Sequence, residues 1–210
     1  MLHIVDDDAD LRDALVWMAK SRQLPCVAYA SGEQFLGALA SYGRNGSGTA
    51  AEHAAQFSFD PKGDCVLLDV RMAGISGIAT FDLLAELPIS KRLPVIFITG
   101  HGDVPMAVDA LKRGAFDFFE KPFNDNALFD RVQEALELSR QAGEMAVVYQ
   151  RLANLTTRER EVLDLILLGK MNKLIADQLG ISMRTVEVHR ANIFDKMEVK
   201  TAVELAGLLK

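Results

Sequence analysis

Acidic residues gather where apolar runs stop. LHIV at 2–5 passes directly into Asp6, Asp7 and Asp8, and CVLL at 65–68 into Asp69. PVIFIT ends in Thr99, and FDFF runs through Glu120 to Lys121 and Pro122. A single aspartate after a strand is usually a turn former. Carboxylates, a hydroxyl and an ammonium, each at the end of a successive strand, point instead to one pocket, because open parallel α/β sheets bind ligands outside the carboxyl ends of their strands. Carboxylates that converge there repel one another unless a cation sits among them. An oxygen-only set suits Mg²⁺, with Mn²⁺ the alternative. An aspartate beside such a cation can act as nucleophile and become an aspartyl phosphate. Cation, hydroxyl and ammonium then stabilise the phosphoryl oxygens. The chemistry expected is therefore phosphoryl transfer, with Asp69 as acceptor and Asp6, Asp7, Thr99 and Lys121 around it. Asp8 reads as a helix N-cap. His101 and Asp103 read as loop and cap residues, and Phe118 as core.

The elements that must position these groups alternate in type. Short apolar runs at 2–5, 27–30, 66–68, 94–98 and 116–119 predict five strands. Helical patterns at 8–21, from Ser31, at 78–87, at 104–111 and from Asn124 predict five helices. Strands alternating with helices imply a parallel sheet covered on both faces. The segment YGRNGSGTAAEHAAQFSFDPKGD reads as a long surface loop holding Glu52 and His53.

From Leu155 the rhythm changes. Helices are predicted over 157–168, 172–179, 182–197 and 201–209, with breaks at Gly169 and Gly180. A short helix, a Gly turn, Ile181, a Ser182 cap and a longer polar helix form a helix-turn-helix pattern. Ile175, Ala176, Leu179 and Ile181 should fill its core, with Val186 and Ile193 as the buried stripe of the second helix. Arg184, Thr185, Glu187, Val188, His189, Arg190 and Asn192 remain to meet DNA in the major groove, and Lys170, Lys173 and Lys196 to meet phosphates. Thr156 with Glu159 forms a capping box ahead of the first of these helices. The net charge of −6 conceals a C-terminal part in which basic residues outnumber acidic ones. The two cysteines, Cys26 and Cys65, fit no metal spacing or disulfide framework. The acidic start is no signal peptide, and no run of about eighteen apolar residues occurs, so a cytoplasmic protein is expected.

Motif by motif, the chain resembles bacterial two-component response regulators of the FixJ-like subgroup. IVDDD at 4–8, LLDVRMAGISG at 67–77, VIFITGHGDVPMAV at 95–108 and GAFDFFEKPF at 114–123 look like receiver motifs. LTTREREVL at 155–163 and ISMRTVEVHRANIFDKM at 181–197 look like a LuxR-type output domain. The resemblance implies a flavodoxin-like receiver sheet of strand order 2-1-3-4-5 over residues 1–124, whose fifth helix continues to about 139. A linker at 140–154 and a four-helix DNA-binding domain at 155–210 would follow. It implies that Asp69 takes phosphate from a sensor histidine kinase and that the Arg71 carbonyl joins Asp6, Asp7 and Asp69 on Mg²⁺. Lys121 would pair with the phosphate, and Thr99 and Phe118 would act as the switch. Phosphorylation would then alter the surface of helix four and strand five, promote homodimerisation and control binding to double-stranded promoter DNA, in the sense of activation. The last helix would be a dimer contact and RNA polymerase a further candidate partner. Such a chain is no enzyme beyond its own phosphorylation and slow dephosphorylation.

Two features depart from the pattern. Ala73 stands where the family usually has proline, which should loosen the loop holding Arg71. The 43–64 loop is longer than usual. Two rival functions remain: a phosphate-independent dimeric regulator, against which the intact acidic, hydroxyl and lysine set speaks, and a hydrolase with a covalent aspartate, against which the helix-turn-helix speaks.

Overall fold

The computed structural model describes residues 1–41, 57–100 and 104–209. It divides into two compact units, residues 1–143 and 144–210. Glu52, His53, His101 and Asp103 lie outside the described residues, as does most of the 43–64 loop.

In the first unit, β1 (Leu2–Val5), β2 (Cys26–Tyr29), β3 (Cys65–Asp69), β4 (Val95–Thr99) and β5 (Asp117–Glu120) alternate with α1 (Ala9–Ser21), α2 (Gly32–Ser41), α3 (Gly77–Ala85), α4 (Val104–Lys112) and the N-terminal part of α5 (Asp125–Ala153), whose last residues belong to the second unit. The sheet is parallel throughout, in the expected order β2-β1-β3-β4-β5. The strands read as continuous apolar runs because both faces are buried. Along each central strand successive side chains go to opposite cores. Leu2, Ile4, Cys65, Leu67, Ile96 and Ile98 join Leu15 of α1 and Leu128, Phe129 and Val132 of α5. Val5, Val66, Leu68, Val95 and Phe97 join Phe35 of α2, Phe81 and Leu84 of α3 and Ala110 of α4. Phe118 packs half-buried against this second core. With side chains anchored on both sides, a one-residue slip of register would exchange the cores, so each strand end is held at a defined height.

α5 continues past 139, unbroken to Ala153. The stretch RQAGEMAVVYQRLA has no proline and one interior glycine, so nothing in it stops a helix. Val148 is buried in the core of the second unit.

That second unit holds α6 (Thr157–Leu167), α7 (Asn172–Leu179), α8 (Met183–Met197) and α9 (Ala202–Leu208). The capping box forms as the sequence indicates: Glu159 N–H donates to Thr156 Oγ1, and Thr156 N–H to Glu159 Oε2. Gly180 ends α7 at φ +63°, ψ 37°, in the left-handed region where a Cβ is unfavourable. Ser182 caps α8 by accepting the Thr185 N–H. Ile175, Ala176, Val186, Ile193 and Met197 are buried, with Leu179 and Ile181 packed at the margin.

Candidate functional site

The carboxyl ends of β1, β3, β4 and β5 bring the acidic and basic groups together. Asp6 follows β1, Asp69 is the last residue of β3, and Lys121 follows β5. Lys121 Nζ lies 2.6 Å from Asp69 Oδ1 and 3.0 Å from Asp6 Oδ2. Asp6, Asp7 and Asp69 each offer an oxygen, all within 4.8 Å of one another. Asp6 and Asp69 are buried while Asp7 is exposed, so the cluster opens to solvent on one side. Three carboxylates facing one cation leave a surplus of negative charge. Oxygen donors at this spacing fit a hard divalent ion such as Mg²⁺.

The Asp8 side chain is the N-cap of α1, accepting from the Asp10 and Leu11 N–H groups, while the Asp8 backbone N–H donates to Asp6 Oδ1 at 2.8 Å. Thr99 is fully buried at the end of β4, its hydroxyl donating to the Gly100 carbonyl at 3.2 Å. Burial pushes the Asp69 carboxyl up to about 6; the hydrogen bond from Lys121 opposes this and the nearby Asp6 charge adds to it. For Lys121, burial disfavours the ammonium, but bonds to Asp69 and Asp6 outweigh it and the net shift is upward. A buried, proton-attracting carboxylate beside a cationic partner is a familiar mark of a functional site.

The loop from Val70 to Ser76 folds back over this pocket. Ala73 N–H donates to Asp7 Oδ2 at 2.8 Å, and the Arg71 backbone N–H donates to the Asp69 carboxylate. The Gly77 N–H donates to the Val70 carbonyl at 3.0 Å, closing the loop at the start of α3. A Cβ at Gly77 would lie 1.9 Å from the Asp69 carbonyl oxygen, so only glycine permits this approach. Ile75 N–H donates to Glu33 Oε1 at 2.8 Å. Sequence reasoning missed Glu33, because no local pattern links the first turn of α2 to a loop some forty residues away. Because Ala73 rather than proline stands here, the position carries an N–H, and Asp7 accepts it.

On the second unit, α8 turns Val186, Ile193 and Met197 inward and exposes Arg184, Glu187, Val188 and Asn192. These four recur at helical spacing, so they share one outward face. Thr185 belongs to the cap, its hydroxyl 2.8 Å from that of Ser182. Arg190 lies half-buried with its guanidinium 5.4 Å from the centre of the Phe194 ring. His189 is half-buried, and its Nδ1 has no hydrogen-bond partner among the described residues. Lys170 and Lys173 are exposed. Lys196 is placed otherwise than its sequence reading as a phosphate contact implies: its ammonium lies 2.7 Å from the buried Glu159 carboxylate. That pair ties α8 to α6, and a buried carboxylate needs such a partner.

Comparison with known proteins agrees with both halves. Residues 2–133 match the response regulator receiver domain, and residues 153–209 match the luxR family of bacterial regulatory proteins. The C4-dicarboxylate transport transcriptional regulatory protein DctR of Rhodobacter capsulatus is 42% identical, over 99% of this chain and 98% of its own length. The transcriptional regulatory protein FixJ of Azorhizobium caulinodans is 40% identical, over 99% of this chain and 90% of its own. Among solved structures, the response regulator StyR superposes with a TM-score of 0.67 at 37% identity, covering 99% of this chain and 96% of that one. Full-length FixJ from B. japonicum gives 0.55 at 36% identity, covering 99% and 94%. No described helix is long and apolar enough to cross a membrane. With a receiver sheet, an acidic pocket at its strand ends and a separate all-helical DNA-binding fold, the chain belongs to the two-component response regulators that join a receiver domain to a LuxR-type helix-turn-helix domain and act as transcriptional regulators rather than enzymes.

Proposed function

We propose that this regulator is switched by phosphorylation of Asp69, with a sensor histidine kinase as phosphodonor and promoter DNA as target. The observation that carries the reading is the grouping of Asp6, Asp7 and Asp69 within 4.8 Å, with Lys121 Nζ 2.6 Å from Asp69. Asp69 is the acceptor: its carboxylate oxygen attacks the phosphorus, and the bond to the kinase histidine breaks as the new one forms. Asp6, Asp7, Asp69 and the Arg71 carbonyl would hold Mg²⁺, which when bound offsets charge on the phosphoryl oxygens. Lys121 already faces Asp69 and supplies a fixed positive charge there. Thr99 and Phe118, at the ends of β4 and within β5, are the residues whose rearrangement reports the phosphate to the α4–β5 surface. That surface exposes Met106 and Val108, which suits pairing of two receivers. In the second unit, Arg184, Glu187, Val188 and Asn192 face the bases, and Lys170 and Lys173 the backbone. Thr185 belongs to the cap of that helix, Arg190 packs against Phe194, and Lys196 anchors it to Glu159.

The test compares wild type with Asp69→Ala, each incubated with Mg²⁺ and a small-molecule phosphodonor. Intact mass, oligomer size and DNA affinity are the readouts. The expected result is a phosphate adduct, dimer formation and tighter DNA binding in wild type alone. Equal dimerisation and DNA affinity in both would sink the switch, and no adduct on wild type would sink the covalent step.

A further inference from the structure

The β3–α3 loop carries the two amides that touch the acidic pocket, yet little in the loop itself fixes it. Ala73 leaves φ free, and Gly74 sits at φ +81°. Two carboxylates from other elements hold it. Asp7, after β1, accepts the Ala73 N–H, and Glu33, in the first turn of α2, accepts the Ile75 N–H, both at 2.8 Å. Gly74 lies so close to Glu33 that a Cβ on it would come within 2.5 Å of Oε1. The Glu33 carboxyl is held below the usual range by its own backbone N–H, then by Ser31 and by the Ile75 N–H, so it is present as the anion, the stronger acceptor. Asp7 is one of the three clustered carboxylates, whereas Glu33 stands outside them. It is therefore a contact that can restrain the loop whatever ion the cluster holds.

We propose that Glu33 is a positioning residue for the phosphoacceptor site, latching the loop through Ile75 and thereby setting the Ala73 and Arg71 amides on Asp7 and Asp69. The inference rests on the metal-site reading above. It predicts that loss of the Glu33 contact is felt at Ala73 and at the metal, not at Ile75 alone.

The experiment uses the full chain. Mg²⁺ affinity is measured by calorimetry, and amide hydrogen exchange at Ala73 and Ile75 by NMR, for wild type, Glu33→Ala and Glu33→Gln. Glu33→Ala should weaken Mg²⁺ binding about three- to tenfold, on the scale of one hydrogen bond, and should speed exchange at both amides. Glu33→Gln keeps an acceptor oxygen without the charge and should recover part of the loss, falling between wild type and Glu33→Ala. Faster exchange at Ile75 alone, with Ala73 and Mg²⁺ affinity unchanged, would show a local contact and overturn the latch. So would a Glu33→Gln variant as impaired as Glu33→Ala. Wild type that binds no Mg²⁺ would overturn the metal-site reading, and the latch with it.

Discussion

Asp69 is a residue that the fold holds at a cost. Its folded carboxyl is raised from 3.8 to about 6, because burial disfavours the anion more than Lys121 favours it. A carboxyl raised on folding lowers stability once the pH exceeds its folded value, and the penalty disappears below the unfolded value. Asp69→Asn is neutral and similar in shape. In Mg²⁺-free buffer at pH 7 it should therefore be more stable than wild type by about 1–2 kcal/mol, while losing the phosphate adduct. Urea unfolding across pH checks the sign: the two chains should converge as the pH falls from about 6 towards 4. Gly77 makes the opposite case. Gly77→Ala would drive a methyl into the Asp69 carbonyl, so it should destabilise the first unit and weaken phosphorylation together. Aspartates at two strand ends were legible from spacing alone, since their meaning is local to each strand. The roles of Gly77 and Glu33 were not, because each depends on a partner brought close only by the sheet and its returning loop.

At the scale of elements, α8 is fixed by its buried stripe and by one ion pair. Glu159 is held at about 2 by the Lys196 ammonium, with burial opposing and Thr156 assisting. The sign is that of a depressed carboxylate: the stabilisation is complete above about 4.5 and lost as the pH falls towards 2. Glu159→Gln should cost about 1–2 kcal/mol at pH 7, a discounted figure because Lys196 is partly solvated, clearly less at pH 3, and little once the pH reaches about 2. Thermal or urea unfolding of the full chain, read through helix signal, measures it. Gly180→Ala should cost about 1 kcal/mol, because φ +63° suits glycine and strains alanine. The capping box was readable as Thr156 with Glu159, since its spacing is local. That the same Glu159 would claim Lys196 was not readable, because the two are 37 residues apart.

For the molecule as a whole, two surfaces should respond differently. Met106→Glu on α4 should abolish phosphodonor-driven dimerisation and leave the intact-mass adduct on Asp69 unchanged, as size-exclusion and mass measurements would show. An adduct lost together with the dimer would place Met106 in the acceptor site instead. On the second unit, Lys173→Ala should weaken binding to all DNA sequences alike and reduce the slope of log affinity against log salt by about 1. Glu187→Gln should instead change which bases are preferred, by roughly tenfold or more, because a carboxylate accepts from cytosine whereas an amide suits adenine. Selection from a random duplex library separates the two effects.

Periodicity and strand-end residues by themselves determined that this chain has a five-stranded α/β unit, a helix-turn-helix unit and an acidic pocket. These are local statements: a period of two or 3.6, a cap three residues from its partner, a carboxylate directly after an apolar run. Tertiary structure alone decided that Ala73 spends its amide on Asp7, that the Ile75 amide meets Glu33, and that Lys196 turns to Glu159. Each of these pairs joins residues far apart in sequence. Which distant groups meet is set by strand order, register and the packing of helices on the sheet, and none of these leaves a signature at either residue.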